Sequence, residues 1–270
     1  MAGTTIKMDD HYLSYRQSRI CYHTTGSGNA VVLLHGFAED SSIWDKQVAF
    51  LKNGFRLIVP DLPGSAHSDV ISNPEPCIEE YAAIVMLVLE KEQIRSCVRI
   101  GHSLGGYITL AFAEKYPEML TAYGLFHSTA YADDESKRTT RKKSIEFICR
   151  NGTEAFLRTS IPGLFFNQGN STDVNTLIEK GSAILPDTLV QFYQAMLNRP
   201  DRTRVLENSS VPVLFIIGEH DMAVPFQHSL EQSHMPKSSH IHILRYSAHM
   251  GMLEEPDKSN KILANFLLNP

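Results

Sequence analysis

The sequence predicts an α/β domain, a mostly parallel sheet of about eight strands flanked by helices, with one inserted α-helical cap. Three observations predict this fold class. Short apolar runs, typical of strands buried on both faces, alternate with helical patterns. One such run turns directly into a helix at Ser103, between two glycines. Residues 128–204 carry only helical patterns, which interrupts the alternation.

Length and composition suit one large domain. The 270 residues are 43% hydrophobic and 20% charged, and the formal net charge is −5. Such a mild charge favours neither nucleic acid nor a membrane surface as a partner. The first ten residues lack the apolar core of a signal peptide, and no apolar run approaches the roughly 20 residues of a membrane span. We therefore expect a cytoplasmic monomer or homodimer that binds a small molecule.

The cysteines show no pattern that indicates a disulfide framework or a zinc site. None of them forms a CxxC pair. We expect all of them to be buried or half-buried small hydrophobic residues. They are Cys21, Cys77, Cys97 and Cys149.

Each element of the N-terminal half follows from a short apolar run or a helical period bounded by turn residues. A hairpin at the sheet edge comes first, and the helix after the next strand carries Trp44, Val48, Phe50 and Leu51 on one side. The strands are predicted at residues 11–16, 19–23, 31–34, 57–59, 98–100 and 122–126, and the two long helices at 79–93 and 104–114.

The C-terminal half completes the alternation after the cap. In the cap, Asp133 and Asp134 are expected at the positive end of its first helix, and the basic run Arg138–Lys143 on a solvated face of that helix. Further cap helices are predicted at 153–161, from 171 and from 186; strands at 211–217 and 240–244; and helices at 227–234 and 257–268. The core thus comprises residues 1–127 and 205–270, and the cap comprises residues 128–204.

The turn at Ser103 predicts a catalytic nucleophile. A connection this short forces the corner residue into a sparsely populated backbone region, which costs about 1–3 kcal/mol. Gly101 and Gly105 lack side chains, so strand and helix can approach each other. The serine hydroxyl is then held above the sheet at the positive end of a helix. The alternative is a buried structural serine.

A serine nucleophile needs a base, an acid that orients the base, and donors for an oxyanion. Asp221 directly follows a buried strand, and His249 lies among small residues in the loop after the last strand. The chain order serine, acid, histidine suits this topology. Glu219 is the nearest alternative acid. The other late histidines lie on predicted helices or strands; they are His228, His234, His240 and His242.

From Val31 to the C-terminus the chain resembles the α/β-hydrolase superfamily, in its subset with a helical cap. The matching motifs are His35-Gly36-Phe37, Asp61-Leu62-Pro63-Gly64, Gly101-His102-Ser103-Leu104-Gly105-Gly106, Gly218-Glu219-His220-Asp221 and Ala248-His249. The resemblance implies an oxyanion hole formed by the backbone N–H groups of Phe37 and Leu104. The chain departs from it at Gly64–Ser68, where many relatives carry a histidine shortly after the glycine. We expect backbone groups to satisfy His35 and His102, and Asp61 to hold its own turn.

The resemblance implies ester hydrolysis through an acyl-enzyme, with Ser103, His249 and Asp221 as the triad and with no metal or organic cofactor. We expect small to medium, mostly apolar and uncharged carboxylic esters as substrates. Six cap residues could line an apolar pocket or merely seal the cap against the core; they are Phe156, Phe165, Phe166, Phe192, Tyr193 and Met196. The same triad in relatives supports thioester, amide or carbon–carbon bond hydrolysis, or perhydrolysis. A slow-turnover sensor and a non-catalytic scaffold are the alternatives from other classes.

Overall fold

The structure, a computed structural model, describes residues 8–167 and 171–270. Within them, eight strands form one sheet in the order β1-β2-β4-β3-β5-β6-β7-β8. The first two neighbouring pairs in this order are antiparallel and the other five are parallel. The strands are β1 (Asp9–Tyr15), β2 (Ser18–Thr25), β3 (Ala30–Leu34), β4 (Arg56–Pro60), β5 (Cys97–His102), β6 (Leu120–Phe126), β7 (Val213–Gly218) and β8 (Ser239–Leu244). The predicted α/β fold class is confirmed.

Helices cover the sheet and form the insertion. The helices are α1 (Asp45–Leu51), α2 (Ile78–Lys91), α3 (Leu104–Lys115), α4 (Glu135–Ser160), α5 (Ser171–Ser182), α6 (Pro186–Asn198), α7 (Thr203–Glu207), α8 (Phe226–Ser233), α9 (Gly251–Glu254) and α10 (Pro256–Leu268). Every residue of β5 and β7 is buried, as expected for central strands that are covered on both faces. None of the helices in the described part of the chain is long and apolar enough to span a bilayer.

The described part of the segment between β6 and β7 contains the helices α4 to α7, joined by turns and loops, and no strand. The helices predicted to begin near Asp133 and Thr153 are joined in α4 across a kink at Gly152, where φ is 82° and ψ is 172°. Asp134 caps α4 by accepting a hydrogen bond from the N–H of Lys137 at 2.7 Å. The cap is therefore inserted after the sixth strand, and its limits at residues 128 and 204 stay a prediction.

Two groups of buried side chains are predicted incorrectly. Phe50 is 50% exposed, because at 100° per residue it lies on the opposite side of α1 from Val48. Cys77 and Cys149 are exposed, whereas Cys21 and Cys97 are buried. All four cysteines are free thiols, in agreement with the expectation that they form no disulfide framework.

Candidate active site

Ser103 occupies the turn between β5 and α3 with φ 49° and ψ −113°. Few residues other than glycine adopt such a conformation, so neighbouring groups must hold it. The N–H of Ser103 donates to the carbonyl oxygen of Phe126 at 3.0 Å, and Oγ of Ser128 donates to the carbonyl oxygen of Ser103 at 2.7 Å. The strained turn is thus anchored to the end of β6 and to the residues that follow it.

The two glycines beside Ser103 are required by close backbone contacts. A Cβ atom on Gly101 would overlap the carbonyl oxygen of Gly105. A Cβ atom on Gly105 would overlap the carbonyl oxygen of Leu34, at the end of β3. The absence of side chains therefore lets α3 begin directly against the sheet, as the sequence predicts.

Asp221 and His249 meet at the same edge of the sheet. Nδ1–H of His249 donates to Oδ2 of Asp221 at 2.8 Å, and both side chains are buried. The other carboxylate oxygen accepts from the N–H groups of Ala223 at 2.8 Å and Val224 at 2.9 Å. Burial opposes ionisation of the carboxyl, but the imidazole of His249 holds the pKa of Asp221 below its ordinary value. Glu219, the alternative acid, is exposed.

Ser103 and His249 line one cavity of about 140 Å³ beneath the cap. The Ser103 hydroxyl makes no hydrogen bond within the part of the chain that the structure describes. Nucleophile and base contacts are often long without substrate and shorten when it binds. The arrangement brings a hydroxyl, an imidazole and a carboxylate to one site, which is the set that proton removal from serine requires.

The two predicted oxyanion donors border the same cavity. Phe37 lines it, and Leu104 is the first residue of α3, so its N–H has no acceptor inside the helix. Among the described residues, neither the Phe37 N–H nor the Leu104 N–H donates to another protein group. Both donors are therefore available to a ligand, and their role in an oxyanion hole stays a prediction.

Glu39 and His102 form a buried pair behind the site. Nδ1–H of His102 donates to Oε2 of Glu39 at 3.0 Å, and Nε2–H donates to the carbonyl oxygen of His249 at 2.9 Å. Burial works against charge, but the Glu39 carboxylate raises the pKa of His102, and the imidazole lowers the pKa of Glu39. His102 therefore connects the Glu39 carboxylate to the backbone of His249. The sequence predicts backbone partners for His102, and only one of its two partners is a backbone group.

His127, which follows β6, is a third histidine in this region. It is fully buried, and burial holds its pKa well below the ordinary value, so it is neutral. The backbone nitrogens of Gly218 and Gly251 lie 3.0 and 3.2 Å from its two ring nitrogens. A neutral imidazole has one acceptor nitrogen, so only one of these contacts is a hydrogen bond. Nδ1 also lies 3.7 Å from Oδ2 of Asp221. His127 thus packs between the loops that carry Asp221 and His249.

The loop that carries His249 is joined to the cap by a main-chain hydrogen bond and by a bridge through the carboxylate of Glu254. The N–H of His249 donates to the carbonyl oxygen of Leu164 at 2.9 Å. The carboxylate of Glu254 accepts from the N–H of Phe166 at 2.7 Å and from that of Ala248 at 2.9 Å. The position of the imidazole therefore depends on the cap segment that follows α4.

The six predicted pocket residues lie in different surroundings. Phe156, Tyr193 and Met196 line the cavity. Phe165 and Phe192 are buried and Phe166 is half exposed, stacked on His220 at 4.2 Å between ring centroids, and none of these three lines the cavity. These three phenylalanines pack cap against core, which is the alternative reading of the sequence. The rest of the cavity wall includes Tyr107, Leu157, Ile161 and Leu164.

Arg141 also lines this cavity, which corrects the expectation that the basic run of α4 is solvated. Its guanidinium is mostly buried and donates to Asp133 through Nε at 2.5 Å and Nη2 at 3.3 Å. Asp133 accepts a further bond from Arg199 at 2.9 Å, so it pairs with arginines and does not act at the helix terminus. Lys142 and Lys143 are exposed as predicted.

Cys21, His23 and Asp61 bring three possible metal ligands within 4.8 Å of one another. Both nitrogens of His23 already have carboxylate partners, Asp10 at 2.8 Å and Asp61 at 3.2 Å. Burial opposes the charge, but the hydrogen bond to Asp61 and the other contacts raise the pKa of His23 to about 11. A metal ion would have to replace the proton that this imidazole holds. Asp61 also accepts from the N–H groups of Ser41 and His67, so it holds more than its own turn.

Stability should depend on pH through His23. Its pKa is raised from 6.5 to about 11 on folding, so between these values the folded protein holds a proton that the unfolded chain releases. The contribution is complete below pH 6.5 and decreases as the pH rises toward 11. We expect the free energy of unfolding in urea to fall from pH 7 to pH 9, and His23→Gln to flatten this decrease. The exposed His67→Gln is the matched control, and an equal slope in His23→Gln would contradict the assignment.

Glu39, Tyr107, His127 and Arg141 are the site residues that sequence reasoning missed. Glu39 and His127 each follow a strand closely, a position where functional side chains gather in such sheets. Their places close after the ends of strands could have indicated Glu39 and His127 as site residues. Arg141 carried no comparable signal, because its spacing in α4 is that of an ordinary charged helix face.

Three comparisons with known proteins show what this chain is similar to. A family model described as the alpha/beta hydrolase fold matches residues 29–137. The 2-hydroxy-6-oxononadienedioate/2-hydroxy-6-oxononatrienedioate hydrolase of Burkholderia vietnamiensis is 26% identical, over 92% of this chain and 91% of its own. A thermophilic esterase from Thermogutta terrifontis, solved with malate bound, is 25% identical with a TM-score of 0.89 over 97% of this chain and 98% of that one. An enol-lactonase from Burkholderia xenovorans, 20% identical, shares the fold with a TM-score of 0.88 over 96% of this chain and 100% of its own.

Proposed function

We propose that the chain, as a hydrolase of the α/β-hydrolase superfamily, cleaves small to medium carboxylic esters through an acyl-enzyme on Ser103. The observation that carries the proposal is the shared cavity of Ser103 and His249, with His249 hydrogen-bonded to the buried carboxylate of Asp221. The free thiols suit the cytoplasmic location that we also propose.

In the proposed reaction, Nε2 of His249 removes the hydroxyl proton of Ser103 while Oγ attacks the ester carbonyl. Asp221 keeps the imidazole proton on Nδ1 and stabilises the imidazolium that forms. The N–H groups of Phe37 and Leu104 bind the oxyanion, and each donor of this kind is worth roughly 3–4 kcal/mol. His249 then protonates the leaving alcohol and activates the water that releases the acid.

The strongest alternative to ester hydrolysis is the hydrolysis of a carbon–carbon bond. The Burkholderia vietnamiensis relative is named for a 2-hydroxy-6-oxo dienedioate, a substrate without an ester bond. The esterase from Thermogutta terrifontis shares the fold over nearly the whole chain. The two activities use the same hydroxyl and imidazole and differ in the leaving group, so the bond that is cleaved has to be measured.

A substrate panel tests the proposal. We expect p-nitrophenyl esters of two to eight acyl carbons to be turned over continuously, and faster than matched thioesters, amides and a 2-hydroxy-6-oxo dienoate. A fluorophosphonate should label one residue, Ser103. Faster cleavage of the dienoate would favour carbon–carbon hydrolysis, and a stall after one equivalent of product would favour a sensor. Absence of labelling would contradict a serine mechanism of any kind.

A further inference from the structure

The cavity beneath the cap has a basic wall that ester hydrolysis alone does not explain. Arg141 lines it, together with Ser103 and His249. Resting on the proposed function, we propose that Arg141 binds a carboxylate of the substrate, so that the substrates are short esters that carry an acid group. This replaces the uncharged, mostly apolar esters that the sequence predicts.

The charges around Arg141 do not cancel. Arg141 and Arg199 share one carboxylate, that of Asp133, which leaves one positive charge without a partner in this cluster. The Glu39 carboxylate lines the same cavity, but it is paired with His102. An uncompensated positive charge in a poorly solvated wall is costly. An anionic ligand would compensate this charge, so its binding is favoured here.

The same positive charge lowers the pKa of the Tyr107 phenol. Tyr107 is buried and lines the cavity, and the Arg199 guanidinium lies 4.0 Å from the centre of its ring. Burial alone would raise the pKa of this phenol, but Arg199 and Arg141 hold it below the ordinary value. A carboxylate in this part of the cavity would be stabilised for the same reason.

Arg141 has hydrogen-bond donors to spare. A guanidinium has five N–H groups, and Arg141 uses three of them, two toward Asp133 and one toward Sδ of Met196 at 3.2 Å. One N–H on each terminal nitrogen is left, and a carboxylate accepts such a pair in a bidentate geometry. Asp133 fixes the guanidinium in place, so little side-chain entropy is lost when the ligand binds.

Arg141 also lines a second, larger groove next to the cavity. A groove of about 670 Å³ adjoins the cavity, and the two share Arg141, Tyr193, Ala223 and Val224. The groove carries both signs of charge, with Lys137 and Arg199 on its wall but also Asp134 and Glu231. The cavity of about 140 Å³ holds only a small molecule, so the acid group and the ester must be a few atoms apart. Monoesters of short dicarboxylic acids meet this requirement.

A matched pair of esters tests the inference. Monomethyl glutarate carries a carboxylate and dimethyl glutarate does not, and pH-stat titration measures the hydrolysis of both. We expect wild-type kcat/KM to favour the monoester by at least about tenfold, since hydrogen bonds to charged groups contribute about 1.5–3 kcal/mol. Arg141→Gln should reduce the ratio of the two kcat/KM values by about tenfold or more, and Arg141→Lys should restore part of it.

Lys142→Gln is the control, because it removes the same charge from the next residue of α4, which is exposed and outside the cavity. In Lys142→Gln, the ratio of the kcat/KM values for the monoester and the diester should equal that of the wild type. A wild-type preference for the diester, or an unchanged ratio in Arg141→Gln with an unchanged melting temperature, would overturn the inference.

Binding separates this inference from the proposed function. Calorimetric titration of glutarate into Ser103→Ala measures the anion site without turnover, and Arg141→Gln in that background should weaken binding by at least about tenfold. If neither ester is hydrolysed but glutarate binds through Arg141, the proposed function fails and the anion site stands. If esters are hydrolysed and glutarate binds equally well without Arg141, the anion site fails.

Discussion

Ser103→Ala is expected to reduce kcat for a p-nitrophenyl ester by at least about 10⁴-fold, because the variant has no atom that can form the acyl-enzyme. The fold should be retained. The backbone bonds that hold the turn involve the N–H and the carbonyl of residue 103, not its hydroxyl. Melting temperature and circular dichroism should therefore match the wild type while turnover is lost.

Ser96→Ala is the matched control for this change. Ser96 is exposed and lies one residue before β5, at the opposite end of the strand from the site. It should retain the wild-type rate and label normally with a fluorophosphonate. Substantial turnover by Ser103→Ala would mean that water is activated directly and that no acyl-enzyme forms.

His249→Ala is expected to cost about 10⁴-fold or more in kcat, since the base is removed and the Asp221 carboxylate has no imidazole left to orient. The variant leaves the Asp221 carboxylate buried without its main partner, although two backbone N–H groups still donate to it. We therefore expect a lower melting temperature as well as lost turnover. Steady-state kinetics on the ester and a thermal scan measure the two effects.

His220→Ala is the control for that variant, because His220 is exposed and directly precedes Asp221. It should remain active. Near-normal rates in His249→Ala would place the base elsewhere, and His127 would then be the first candidate, since its Nδ1 lies 3.7 Å from Oδ2 of Asp221. Comparable loss in His220→Ala would show that the effect arises from disturbance of the loop.

The sequence was sufficient to predict the sheet and the three side chains that meet at its edge. Buried parallel strands carry continuous apolar runs, which are visible locally. The carboxyl ends of such strands lie at one edge, so Asp221 and His249 could be placed together although each is far from Ser103 in the chain. The parallel arrangement of the strands therefore predicts this proximity, which no local sequence pattern indicates.

The wall of the cavity could not be predicted in the same way. Whether Phe166 faces a ligand or solvent depends on how the cap packs, and Phe166 lies after α4 in a segment without a helical period. Arg141 looks like any charged residue of a surface helix until Asp133 and Arg199 are seen beside it. Glu39 pairs with a histidine 63 positions away, and no local pattern indicates that pairing.

The bond between Leu164 and His249, and the Glu254 carboxylate that joins Phe166 to Ala248, mean that the cap is not an exchangeable module. A graft of another relative's cap would have to present a carbonyl at the position of Leu164 and an amide at that of Phe166, or the imidazole would lose its anchorage. A change in the cap that alters which substrates fit can therefore also displace the imidazole of His249.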